Sequence, residues 1–119
     1  MERIIIVDDE LAVGRLFFQI LRKDGYICTL CNGPEKIFEV ANPLDFDVLL
    51  TDYVMPGMNG AELGLAFLKI NPNLRVIICS GYSDDFGPAQ VQKNGFHGYL
   101  TKPMPKLKLL QEINRVIAL

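Results

Sequence analysis

The sequence predicts an α/β three-layer sandwich, a five-stranded parallel sheet in the order 2-1-3-4-5 with helices on both faces. Three observations lead there. Short β-branched runs alternate along the chain with longer amphipathic ones, as strand–helix units require. The strand candidates are apolar at nearly every position rather than at every second one, the mark of strands covered on both faces. Five such units fit into 119 residues, the size of one compact domain with no room for a second.

The elements follow in order. Arg3–Val7 (R-I-I-I-V) is a near-continuous apolar strand. From Leu11 to Lys23, Val13, Leu16, Phe17, Ile20 and Leu21 recur at helical spacing, and Gly25 is the stop signal. Tyr26–Cys31 is the second strand. Asn32-Gly33-Pro34 breaks it, and Pro34 suits the first turn of a short helix reaching about Ala41. Phe46–Thr51 is the third strand, Met55–Asn59 a loop, and Ala61–Ile70 a helix ended by Asn71-Pro72. Gly64 inside that helix is a weak point of about 1 kcal/mol relative to Ala. Leu74–Cys79 is the fourth strand. Gly87-Pro88 falls where a helix should begin, so a short one over Ala89–Asn94 is expected after an irregular loop. Gly98–Thr101 is the fifth strand, and Lys106–Ala118 closes the chain as an amphipathic helix. His97, just before the fifth strand, reads as a surface side chain without a role.

Right-handed crossovers leave few ways to join these units, and the flavodoxin-like (βα)5 order is one of the two common ones at this size. Half the residues are hydrophobic and 22% are charged, which supports a packed core rather than disorder. The net charge of −2 argues against a nucleic-acid or anionic-membrane surface. No apolar run approaches a membrane span, and the N-terminus lacks a signal-peptide pattern, so the expected setting is the cytoplasm. Cys28 and Cys31 have C-x-x-C spacing, but residues three apart on a strand point to opposite faces and cannot share a metal. With Cys79 they read as structural thiols.

Ligands of such a sheet bind beyond the C-terminal strand ends, where the strand order reverses. The first strand there runs into Asp8-Asp9-Glu10, the third into Asp52, the fourth into Ser80-Gly81 and the fifth into Thr101-Lys102-Pro103. Taken singly, each has a plainer reading: a helix cap, a turn acid, a turn Ser-Gly and a solvated lysine. Together they crowd carboxylates onto one edge, which a divalent cation with hard oxygen ligands can neutralise, Mg²⁺ rather than zinc. One carboxylate oxygen then stays free as a nucleophile. Lys102 and Ser80 can receive the remaining oxygens of a phosphoryl group, and phosphoryl transfer needs little beyond such positioning and charge.

These residues resemble a known family. I-I-I-V-D-D-E at 4–10, V-L-L-T-D-Y-V-M-P-G-M-N-G at 48–60, V-I-I-C-S-G-Y at 76–82 and G-Y-L-T-K-P at 98–103 are similar, in order and spacing, to the receiver domain of two-component response regulators. The resemblance runs along the whole chain, read as a single receiver domain over 1–119. It implies that Asp52 accepts a phosphoryl group from a histidine kinase or a histidine phosphotransfer protein in a Mg²⁺-dependent reaction. It also implies that Asp9 is the direct metal ligand, that Asp8 acts largely through water, and that the Val54 backbone carbonyl joins Asp52 at the ion. Ser80 resembles the hydroxyl that swings to the phosphoryl group, and Tyr99 the aromatic that turns inward with it. A cis bond is expected before Pro103. The surface of the fourth helix, fifth strand and fifth helix is the expected output face, with a phosphorylation-dependent homodimer among its options and the downstream partner unassigned. The expected activity is that of a phosphoacceptor switch rather than an enzyme acting on a separate substrate.

Rival readings fit less well. A phosphohydrolase with an aspartyl-phosphate intermediate uses an Asp-x-Asp element, and position 54 is Val. A flavin module needs a Ser/Thr/Gly-rich phosphate loop where this chain has D-D-E-L-A. A degenerate receiver would lack one of the required groups, and none is missing. Val54 and Tyr82 flank the approach to Asp52 without an acid or amide to orient water, so slow to moderate self-hydrolysis is expected, with a phosphate lifetime of minutes or longer.

Overall fold

The computed structural model describes residues 2–119. Five parallel strands, β1 (Arg3–Val7), β2 (Ile27–Cys31), β3 (Val48–Asp52), β4 (Arg75–Gly81) and β5 (Gly98–Lys102), pair in the order β2-β1-β3-β4-β5. The helices α1 (Leu11–Lys23), α2 (Ile37–Val40), α3 (Gly60–Ile70), α4 (Pro88–Lys93) and α5 (Lys106–Ile117) alternate with them. No helix among the described residues is long and apolar enough to cross a membrane.

Strand periodicity splits the core in two. On one face Ile5, Val7, Leu49, Val76 and Ile78 pack against α3 through Leu63 and Phe67. On the other, Ile4, Ile6, Leu50 and Ile77 meet Phe17 and Leu21 of α1 and Leu109 and Ile113 of α5. Each fully buried Ile or Leu contributes about 1.5–3 kcal/mol of hydrophobic stabilisation. Cys28 packs into the second cluster and Cys31 against the first, opposite faces as the strand period requires. Cys79 of β4 is fully buried, and burial pushes its thiol far above the ordinary range.

Besides shifts of one or two residues at strand ends, several features differ from the sequence reading. The helix expected over 34–41 is a single turn, because Lys36 takes a left-handed φ of 59° that a right-handed helix cannot propagate. A 3₁₀ turn at Pro43–Asp45 follows it, capped by the Asn42 side chain on Leu44 N–H. α3 begins at Gly60 because Asn59 and Glu62 form a reciprocal capping box: Asn59 Oδ1 accepts from Glu62 N–H at 2.8 Å and Glu62 Oε1 from Asn59 N–H at 3.0 Å. Gly64 has a packing reason, since a Cβ there would stand 2.9 Å from two ring carbons of Phe96. His97 is corrected from a surface side chain to a half-buried one, its Nδ1 accepting from Val76 N–H at 3.0 Å. α4 is short, as Gly87-Pro88 foretold, with Pro88 at its first position.

Candidate functional site: an acidic pocket at the strand ends

Parallel register brings the C-terminal strand ends level. Val7 lies opposite Thr51, Asp52 opposite Cys79, and Gly81 opposite Lys102. Asp8, one residue past β1, therefore stands beside Asp52 at the end of β3, and Lys102 reaches them from β5. Lys102 Nζ lies 2.8 Å from Asp8 Oδ2, 3.3 Å from Asp52 Oδ2 and 3.9 Å from Glu10 Oε1. Asp8 is 1% exposed and Asp52 8%, so the lysine neutralises two acids held almost out of water. Asp8 also has a local role, its Oδ1 accepting from Glu10 N–H at 2.9 Å where the chain turns into α1.

Burial pushes the Asp52 carboxyl up to about 6; the Lys102 charge opposes this, while Asp8 and Asp9 add to it. Asp52 is thus mostly ionised at neutral pH and carries the negative charge that a nucleophile needs. Burial alone would lower Lys102, but its bond to Asp8 and the field of Asp52 outweigh that and hold it above its ordinary value. α3 approaches from below: Gly60 N–H donates to Tyr53 O, and a Cβ on Gly60 would lie 2.2 Å from the Asp52 carbonyl oxygen. Only glycine fits there.

Asp8, Glu10 and Asp52 each offer a carboxylate oxygen, and these oxygens all lie within 4.8 Å of one another. A set of hard oxygen donors at this spacing fits Mg²⁺. Asp9 is exposed and its carboxylate is not one of the three; Glu10, to which the sequence reading gave no separate role, stands there instead. Both Asp9 and Glu10 are exposed, so burial periodicity past β1 does not single out Glu10. Val54 is exposed in the loop after Asp52.

Ser80, fully buried at the end of β4, does not bond to Asp52. Its Oγ lies 3.0 Å from the Phe86 carbonyl and 2.6 Å from the Tyr99 hydroxyl, and that hydroxyl donates to the same carbonyl at 3.2 Å. Tyr99 is therefore already inward, beside a serine whose hydroxyl is bonded to it and to the Phe86 carbonyl. The Lys102–Pro103 bond is cis, as expected.

A doubly wound parallel sheet thus carries a lysine-bridged acidic pocket at the point where its strand order reverses. The chain belongs to the response regulator receiver domain family, which it matches over residues 4–114, and this places it in two-component signalling. It is similar to the chemotaxis protein CheY of Thermotoga maritima, 29% identical over 117 residues that cover 97% of each chain. It is 31% identical to the transcriptional regulatory protein ComA of Bacillus subtilis, covering 98% of this chain and 56% of that protein, about half its length. Among solved structures, a response regulator receiver domain protein from Clostridium thermocellum superimposes with a TM-score of 0.84 at 29% identity, covering 99% of this chain and 95% of that one.

Proposed function

We propose that residues 1–119 act as one phosphoacceptor unit in which Asp52 takes a phosphoryl group from a phosphohistidine of a kinase or phosphotransfer protein. The observation that carries this is the position of Lys102, bridging the two buried acids Asp8 and Asp52 at 2.8 and 3.3 Å. An Asp52 carboxylate oxygen forms the new bond to phosphorus as the P–N bond breaks, and the departing imidazole keeps the bonding electron pair. Lys102 then has a phosphoryl oxygen to hold in place of the Asp52 carboxylate, so its charge is used before and after transfer. Ser80 must leave Phe86 O and Tyr99 to donate to a second oxygen.

Asp8, Asp9, Asp52 and the Val54 carbonyl would hold Mg²⁺, with Glu10 at the rim of the same group. Bound there, the ion would neutralise the acids and draw charge from the transferring phosphoryl group. The structure of the pocket supports this reading through its donor set, and the field of Asp9 at Asp52 supports a place for Asp9 near the ion. Incubation with acetyl phosphate and Mg²⁺ should add the mass of one phosphoryl group. Asp52→Asn, or removal of Mg²⁺ by chelation, should abolish the addition; stoichiometric labelling of the variant would overturn the assignment.

A further inference from the structure

Phe86 stands between the acceptor strand and the switch hydroxyls. It sits in the 82–87 segment joining β4 to α4, yet only 5% of it is exposed. Its ring stacks on Tyr53, the residue after Asp52, with centroids 4.5 Å apart and planes 26° apart, and Phe96 lies behind it at 6.5 Å. Tyr53 is a fixed post, because its backbone N–H donates to Cys79 O at 2.7 Å and its carbonyl accepts from Gly60 N–H at 2.8 Å. The segment is fastened at both ends, by Asp84 Oδ2 accepting from Gly81 N–H and by Gln90 Oε1 accepting from Gly87 N–H. The ring stack and these two fastenings together hold the segment that carries the Phe86 carbonyl.

That carbonyl is the shared acceptor of Ser80 and Tyr99, and the two hydroxyls also touch each other. Two hydroxyl protons serve three close contacts. In every fully bonded assignment the single Ser80 proton goes to Phe86 O or to Tyr99, and none remains for Asp52. If Ser80 leaves, Tyr99 keeps the Phe86 carbonyl as its acceptor and stays inward.

We propose that Phe86 is a positioning residue, an aromatic latch on Tyr53 whose carbonyl holds Ser80 away from Asp52 and keeps Tyr99 inward before any phosphate arrives. The inference rests on the reading of Asp52 as phosphoacceptor, but its first test does not. Losing one such hydrogen bond changes an equilibrium by about fivefold, which sets the size of effect to look for.

The test uses the full chain with fluorinated tyrosines, the Tyr99 signal being assigned from Tyr99→Phe. In wild type and in Tyr53→Phe, which keeps the stack, Tyr99 should show one buried environment, and it should stay buried with beryllofluoride and Mg²⁺. In Phe86→Leu, which keeps an apolar side chain at a buried position, and in Tyr53→Leu, which removes a half-buried ring, a second, exposed environment should appear without any phosphate. The rate of labelling by acetyl phosphate with Mg²⁺ should rise about threefold to tenfold in the Leu variants and not at all when Ser80→Ala is also present. A purely structural role would slow both backgrounds alike. An unaltered Tyr99 spectrum in both Leu variants, or equal rate changes with and without Ser80, would overturn the latch. Failure of wild type to label would instead remove the phosphoacceptor reading, with the Tyr99 spectrum still deciding the latch.

Discussion

Lys102 is paired with Asp8 at 2.8 Å, a bridge from the last strand of the sheet to the end of a central one, and it is tighter than its 3.3 Å approach to Asp52. The lysine is thus anchored by one acid while serving another. Lys102→Met should leave both buried carboxylates without their cation and destabilise the protein by roughly 2–3 kcal/mol at neutral pH. The loss should shrink in acid, where Asp52 takes up a proton. Mg²⁺ should recover part of it by binding the folded state alone. Urea midpoints with and without the ion, at neutral and acid pH, check all three statements. An unchanged midpoint at neutral pH would remove the electrostatic account of the pocket.

Two glycines should resist substitution for different reasons. Gly60→Ala forces a Cβ onto the Asp52 carbonyl, so it should displace α3 or the acceptor strand, lowering stability by about 1–3 kcal/mol and impairing labelling. Gly64→Ala gains about 1 kcal/mol of helix propensity. Against that, its methyl group would press on the Phe96 ring, which itself touches Phe86. The expected outcome is a urea midpoint no higher than wild type, and a clear rise would show that Phe96 yields freely.

His97 should make stability fall in mild acid. Its Nδ1 accepts from Val76 N–H, so the ring is held neutral with the proton on Nε2. Burial, then the nearby Arg75 charge, lowers its pKa below the ordinary 6.5. Arg115 also faces it, donating to its carbonyl oxygen at 2.7 Å, and Glu112 pairs with that arginine. Above pH 6.5 neither state is protonated and the full contribution is present. As pH drops below 6.5 the unfolded chain takes up the proton first, and stability declines until the folded pKa is passed. His97→Asn, which keeps an acceptor in the same place, should flatten this slope in urea titrations between pH 7 and pH 5.

The aspartyl phosphate should last minutes or longer. Val54 is 56% exposed and Tyr82 85%, and neither carries a group that could orient an attacking water. Val54→Asn supplies an amide there and should shorten the lifetime several-fold, read as loss of the added mass after removal of the donor. Decay of the wild type within seconds would contradict the expectation.

How much of this could be read from the chain depends on where the signal resides. The sheet was legible because I-I-I-V, V-L-L-T and V-I-I-C bury side chains on both faces, and local composition alone reports that. That Asp8, Asp52 and Lys102 meet was legible because strand ends in a parallel sheet are brought level by topology, whereas the bonds of Ser80 to Phe86 and Tyr99 were not. The 34–41 region was not, since whether Lys36 turns left-handed is settled by Ile37 reaching the core rather than by helix propensity. Phe86 was hidden for a related reason. A lone aromatic in a Ser/Asp/Gly-rich segment carries no periodicity, and its partner Tyr53 is distant in sequence. The choice between Asp9 and Glu10 turns on side-chain direction at the first residues past β1, which no spacing rule fixes.

Cys79 lies opposite Asp52 in the ladder, sealed within the sheet and held far from its thiolate form. Thiol reagents therefore reach it only when β4 parts from its neighbours. In a background with Cys28 and Cys31 replaced by serine, its modification rate becomes a native stopwatch for breathing at the signalling end of the sheet. Nature has placed a silent reporter one strand away from the residue whose chemistry it can time.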